Sequence, residues 1–180
     1  MLRFLLITVL AGQLFGQNIW HSLDSLDRQF SARIQGKNQY PALDIAMESW
    51  ALGTPALEWG TATYRMNRNS ILTKKIIMAE ILAGTISITA KYMIRRPRPE
   101  RSYRPRLWNT RITPSFPSGH TAAYAAFSTV MAQQFPHYRT LWIGSAVFTG
   151  ISHLYTGNHY SGDVLAGLVV GYLSGWIVTR

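Results

Sequence analysis

The sequence contains no cysteine, which removes disulfides, thiolate nucleophiles, thiolate metal sites and an N-terminal lipid anchor on cysteine. It is also short of acid. Eight Asp and Glu stand against eighteen Lys and Arg, giving a net charge of +10, so the favoured partners are anionic. No stretch holds 18 consecutive strongly apolar residues, the usual requirement for a bilayer-spanning helix, and the mean hydropathy is only +0.01. Yet only 14% of residues are charged while 47% are apolar, which is little charge for an ordinary soluble surface. The balance points to a protein working beside a membrane. No internal repeat and no alternating strand-like run is present, and 180 residues suit one domain.

The N-terminal stretch "MLRFLLITVLAGQLFGQ" places Arg3 before an apolar run from Phe4 to Leu10, followed by small and polar residues. That is the order of a secretory signal peptide. Residues 1–16 are read as the export signal and 17–180 as the mature domain, located in the periplasm or on the outer face of the cytoplasmic membrane. Leu14, two residues before Gly16, departs from the small-residue cleavage pattern and leaves an uncleaved anchor as the alternative.

Leu23, Leu26, Phe30 and Ile34 recur at helical spacing and predict an amphipathic helix packed on the core. Pro41 and Pro55 each suit a first helical turn, predicting two short helices broken at Gly53. The longest periodic segment runs from Ile71 to Ile94, with Ser70 as cap and Glu80 interrupting its apolar run. Three further helices are expected at 121–135, 141–151 and 164–178. The fold class is therefore all-α, a bundle of about six or seven helices in which alanine and glycine allow close packing.

Between these helices, "KYMIRRPRPERSYRPRLWNTRITPSFPSGH" carries Arg95, Arg96, Arg98, Arg101, Arg104, Arg106 and Arg111. Its prolines keep it non-helical, and it reads either as a solvated basic loop or as an anion site. Arginine alternating with aromatics would also suit nucleic acid. An exported chain meets anionic head groups instead, so no nucleic-acid partner is expected. In "SFPSGHTAAYAAF", Pro117 stops the loop, Ser118 and Gly119 start a helix, and His120 sits in its first turn. The free amides and dipole of such a helix start attract an anion, although the same four residues also make an ordinary helix start. In "ISHLYTGNHYSGDVLAG", His159 and Asp163 are four apart, close enough for the carboxylate to hold one imidazole nitrogen while the other faces outward. His21 and His137 match no motif.

These elements occur in a fixed order: Lys91 with Arg98-Pro99, then Pro117-Ser118-Gly119-His120, then Ser152 with His159 and Asp163. In that order and spacing the chain resembles the type 2 phosphatidic acid phosphatase superfamily, which includes bacterial class A acid phosphatases and vanadium-dependent haloperoxidases. The resemblance covers Lys91 to Gly167. It implies a phosphatase in which His159 attacks phosphorus and becomes a phosphohistidine, Asp163 fixes its tautomer, and His120 passes the proton. Lys91, Arg98 and the amides of Ser118 and Gly119 would hold the phosphoryl oxygens. It implies no metal and no cofactor. The implied substrate is a lipid phosphate or diphosphate taken at a membrane surface. Where the family has arginine after the serine, this sequence has His153, which would take the phosphate contact unless Arg95, Arg96 or Arg101 replaces it. Alternative readings are a catalytically weakened phosphate-binding homologue, a soluble acid phosphatase, or a vanadate-dependent haloperoxidase.

Overall fold

The computed structural model describes residues 22–66, 70–107 and 111–180. The export-signal segment and His21 lie outside them. The described helices are α1 (22–34), α2 (Pro41–Met66), α3 (Ser70–Ile94), α4 (Gly119–Gln134), α5 (Arg139–Tyr155) and α6 (Ser161–Thr179), with one 3₁₀ turn at Pro136–Tyr138. No strand occurs among the described residues, so the all-α bundle expected from the periodicity is what forms.

Two elements differ from expectation. The segment read as two short helices is the single helix α2, with Gly53 and Pro55 inside it. Pro55 removes one backbone hydrogen bond, but the buried residues Asp44, Glu48, Ala51, Thr54, Glu58 and Ala62 continue at steps of three and four across the expected break. Continuous packing overrides the local breakers. Helix α1 forms where expected but docks the other way round. Its apolar residues Leu23, Leu26 and Phe30 are exposed. Its polar face turns inward instead: Asp27 accepts from Ser161 Oγ and from Gly162 N at 2.8 Å, and Ser31 Oγ accepts from Ser161 N at 2.8 Å.

The core lies where α3 and α6 flank α4. Leu72, Ile76, Ala79 and Ala83 of α3 pack with Ala122, Ala126, Phe127 and Val130 of α4. On the other side, Gly167, Gly171 and Gly175 of α6 run along α4 so closely that a Cβ at Gly171 would lie 2.2 Å from the Ala122 carbonyl oxygen. Only glycine allows that approach. One consequence is that the first turns of α4 and α6 lie side by side, joined by Ser118 N donating to Asp163 O at 2.9 Å.

The basic segment between α3 and α4 is tied to the body at several points, although Arg95, Arg104 and Arg106 are exposed. The buried carboxylates of α2 hold it: Glu48 accepts from Tyr103 OH, Arg106 N and Leu107 N, and Asp44 accepts from Arg106 Nε at 3.0 Å. Asp44 also accepts from Tyr155 OH at 2.7 Å, tying the loop to the end of α5.

Candidate active site

Five of the candidate residues meet at one place. Lys91 comes from the last turn of α3, Arg98 from the loop, Gly119 and His120 from the start of α4, and His159 from the turn before α6. Together they line one end of a cavity of about 420 Å³. A second cavity, of about 260 Å³, shares Arg98, His120 and His159 and is also lined by His153 and Asn158.

His159 is buried, and its two nitrogens face different surroundings. Nε2 lies 3.5 Å from an Arg98 terminal nitrogen. Nδ1 lies 3.7 Å from Asp163 Oδ2, beyond hydrogen-bond range, with the Ser115 hydroxyl beside both. Burial drives the imidazole pKa down to about 4; the Arg98 charge adds to this and Asp163 opposes it. At neutral pH His159 is therefore uncharged, and its surroundings favour the proton on Nδ1 and the lone pair on Nε2.

Asp163 is fully buried and held from every side. Arg96 donates to Oδ1 at 2.6 Å, while Ser115 Oγ and Tyr160 N donate to Oδ2, the latter at 3.0 Å. Arg96 also pairs with Asp24 at 2.6 Å and Asp27 at 2.8 Å, both on α1, and lies 4.2 Å above the Tyr160 ring. This cluster keeps the guanidinium pKa above its ordinary value despite the cost of burial. Arg96 is thus a positioning residue for Asp163, and it is not free to replace an arginine at position 153. Arg95 is exposed and donates from Nε to Tyr92 O at 3.0 Å, and Arg101 donates to Asn158 Oδ1 at 2.7 Å. Neither lines the two cavities.

Arg98 is fixed by three backbone and hydroxyl acceptors: Thr113 O at 2.8 Å, Asn158 O at 2.9 Å and Thr113 Oγ1 at 3.1 Å. A guanidinium carries five N–H groups, so donors remain for an anion in the cavity. Lys91 Nζ donates to Pro114 O at 2.7 Å and Ser115 O at 3.4 Å, leaving its third proton. Ser118 departs from its expected role. Its amide is taken by Asp163 O, and its hydroxyl bonds Thr121 Oγ1 at 2.8 Å. The amides with no acceptor inside α4 at this end include those of Gly119 and His120. His120 is exposed at the cavity mouth, and its ring stacks on that of His153 at 5.3 Å. His153 is buried, with Nδ1 3.4 Å from Asn158 Nδ2 and Nε2 without a partner among the described residues. His137 lies in the exposed 3₁₀ turn, away from the site.

The residues that sequence reasoning missed are Ser115, Asp24, Asp27 and Glu48. None lies in a motif. Each acts through a contact distant in sequence, which spacing along the chain does not reveal.

The PAP2 superfamily model matches residues 73–180. The chain belongs to this superfamily. It is 34% identical to a lipid A 1-phosphatase from Rhizobium etli over 104 residues, 53% of this chain and 43% of that one. It is also 34% identical to a lipid A 1-phosphatase from Porphyromonas gingivalis over 98 residues, 52% of this chain and 20% of that one. It therefore spans less than half the length of these curated relatives. Among solved structures, LpxE from Aquifex aeolicus superposes with a TM-score of 0.71 at 24% identity, covering 84% of this chain and 93% of the other. The transmembrane PAP2-type phosphatidylglycerolphosphate phosphatase from Bacillus subtilis also gives 0.71, at 22% identity, covering 88% and 85%. These two likenesses establish the shared all-helical fold.

Proposed function

We propose that the chain is a phosphatase that hydrolyses a lipid-linked phosphate monoester through a phosphohistidine at His159. The observation that carries this is the position of His159 Nε2, facing the cavity beside Arg98 while Nδ1 is turned toward Asp163. Nε2 attacks phosphorus as the bond from phosphorus to the ester oxygen breaks. His120, at the mouth, gives its proton to that oxygen. Water then attacks the phosphohistidine, its proton passes to His120, and inorganic phosphate leaves with His159 neutral again. Lys91, Arg98 and the amides of Gly119 and His120 neutralise the charge that gathers on the phosphoryl oxygens, the task a metal ion performs in other phosphatases. Asp163 stabilises the imidazolium character that develops as the N–P bond forms.

That the substrate is lipid-linked is supported by the relatives named as lipid A 1-phosphatases and by the exposed apolar residues Trp59 of α2 and Ile81 and Ile88 of α3, which line the cavity. The test uses purified full chain in detergent with a short-chain phosphatidic acid and 4-nitrophenyl phosphate, with and without EDTA. Phosphate release should persist in EDTA. Substrate labelled with ³²P should leave acid-labile label on the wild type and none on His159→Ala, whose melting temperature stays close to wild type. Turnover by His159→Ala equal to wild type would sink the mechanism. A His120→Ala variant should lose about 10²–10⁴-fold on the alkyl ester and much less on the nitrophenyl ester, whose leaving group needs no proton.

A further inference from the structure

Between Asp24 and Ser31, helix α1 meets the body through polar groups. Asp24 and Asp27 pair with Arg96, Arg28 donates to Tyr160 OH at 2.9 Å, and Asp27 and Ser31 accept from the first amides of α6. Its apolar stripe faces away: Leu23, Leu26 and Phe30 are 52%, 60% and 55% exposed. Between that stripe and Leu165 of α6 lies a groove of about 650 Å³, which Asp24, Asp27 and Arg96 also line. Contiguous exposed apolar area marks a surface that meets a partner.

What covers the groove follows from what continues it. Leu165 is the first of the exposed row Leu165, Val169, Leu173 and Ile177 on α6, the described helix with the length and hydropathy to cross a membrane. The groove is thus the end of that apolar row nearest the active site. Arg33 and Lys37, near the end of α1, are exposed and place positive charge where anionic head groups would lie. An apolar stripe flanked by cations is the composition of a helix lying in the membrane interface.

The other face of the same helix reaches the active site. Arg96, held by Asp24 at 2.6 Å and Asp27 at 2.8 Å, donates to Asp163 Oδ1 at 2.6 Å. Asp163 Oδ2 stops 3.7 Å from His159 Nδ1, about 1 Å short of a hydrogen bond, so small movements of the Arg96 cluster decide whether that contact closes. An ion pair open to water is worth little, whereas the same pair in surroundings of lower dielectric is stronger. Acyl chains in the groove would exclude water from Asp24, Asp27 and Arg96 and tighten the cluster.

We propose that α1 is a lipid-docking helix that couples the membrane surface to the active site: seating its Leu23, Leu26 and Phe30 stripe in lipid fixes Arg96 through Asp24 and Asp27, and Arg96 in turn positions Asp163. Asp24 and Asp27 are positioning residues. The coupling rests on the phosphatase reading above and adds regulation to it, because the rate on any ester, soluble or lipid-linked, then depends on lipid at α1.

The test uses full-length protein in nanodiscs of phosphatidylcholine and phosphatidylglycerol, with 4-nitrophenyl phosphate, a water-soluble ester that needs no bilayer to reach the site. The chain has no cysteine, so Leu23→Cys carries a single bimane label, and brominated acyl chains should quench it. Leu26→Ser/Phe30→Ser should weaken that quenching and lower kcat about tenfold, the scale of a displaced catalytic group, with KM nearly unchanged. Asp24→Asn should lower kcat to a similar extent with quenching intact, and Asp24→Glu should restore most of it. The three changes combined should cost no more than the larger of the separate losses, since they act through one cluster. Affinity for inorganic vanadate, measured by calorimetry, should fall in the same variants and needs no turnover. If the serine pair fails to fold, Leu26→Ser alone carries the test. Absence of quenching without the serine changes, as when another segment or a protein partner fills the groove, would overturn the docking. Serine variants with wild-type kcat, or losses that multiply, would overturn the coupling. Either result sinks the proposal and leaves the phosphatase reading intact. Absence of turnover with vanadate affinity still falling in these variants would support the coupling and overturn the phosphatase reading.

Discussion

At the scale of single residues, His159 and His153 are both imidazoles buried in the same few ångströms, yet their surroundings ask different things of them. His159 has Asp163 on one side and Arg98 on the other, and burial lowers its pKa to about 4. As the proposed nucleophile, His159 must be neutral to attack, so activity should survive as pH falls through the ordinary value of 6.5 and fail only as the pKa near 4 is approached. Measured as kcat/KM and corrected for ionisation of the substrate, the acid limb should lie near 4; a limb near 6.5 would mean that the attacking group is not held as described. His153 lines the smaller cavity, its Nε2 without a partner among the described residues, in the position where the family carries arginine. An arginine there would offer a permanent, forked charge to phosphate. His153→Arg should raise neutral-pH kcat/KM about tenfold, the scale of one added charged hydrogen bond, because burial holds the His153 imidazole uncharged there. Coincident profiles for wild type, His153→Arg and His153→Ala would remove His153 from the phosphate contact. Lys91, Arg98, His120, His153, His159 and Asp163 were legible in the sequence because their motifs are local and ordered. Arg96 was read as one positive charge among seven in its loop and as a candidate phosphate contact; its role beside Asp163 was not legible, because its partners Asp24, Asp27 and Asp163 lie far from it along the chain.

At the scale of the elements, the active site depends on two helix starts being held together, and a row of glycines holds them. Gly167, Gly171 and Gly175 let α6 lie against α4, so that Ser118 can reach Asp163 O and the turn carrying His159 sits beside His120. Gly171→Ala places a methyl group against the Ala122 carbonyl and should cost about 1–3 kcal/mol by overpacking, seen as a fall in melting temperature with loss of activity as the helix starts separate. A variant as stable and active as wild type would show that α4 and α6 can part without harm to the site. The helices themselves were readable from their 3.6-residue periodicity, and those expected at 121–135, 141–151 and 164–178 form with ends shifted by a few residues. What could not be read locally was which face turns inward. Gly53 and Pro55 look like a break until the buried row from Asp44 to Ala62 is seen to run through them. The apolar stripe of α1 looks like a core face until Asp27 and Ser31 are found binding the start of α6.

At the scale of the whole molecule, the outward surface is what a core would ordinarily be. On α6, Leu165, Val169, Leu173 and Ile177 are exposed at steps of four on the side opposite the glycines, and α6 alone among the described helices has the length and hydropathy to cross a membrane. Leu141, Ile143, Val147 and Ile151 of α5 and Met78, Ile81, Ile88 and Met93 of α3 are exposed too, as is the stripe of α1. Apolar area of this extent in water would drive association. Contact with lipid would remove that cost and, on the function proposed above, bring the cavity to its substrate. The net charge of +10 adds attraction to anionic head groups, but that part is screened within about 10 Å at 0.1 M salt, whereas burial of Leu, Ile and Val side chains in lipid is not. The two contributions separate in one fractionation. Full-length protein should sediment with membranes, stay there through a wash in 1 M salt, and be released by detergent. Release by salt alone would mean that charge, not the apolar belt, holds it, and the exposed faces of α3, α5 and α6 would then need a protein partner to cover them.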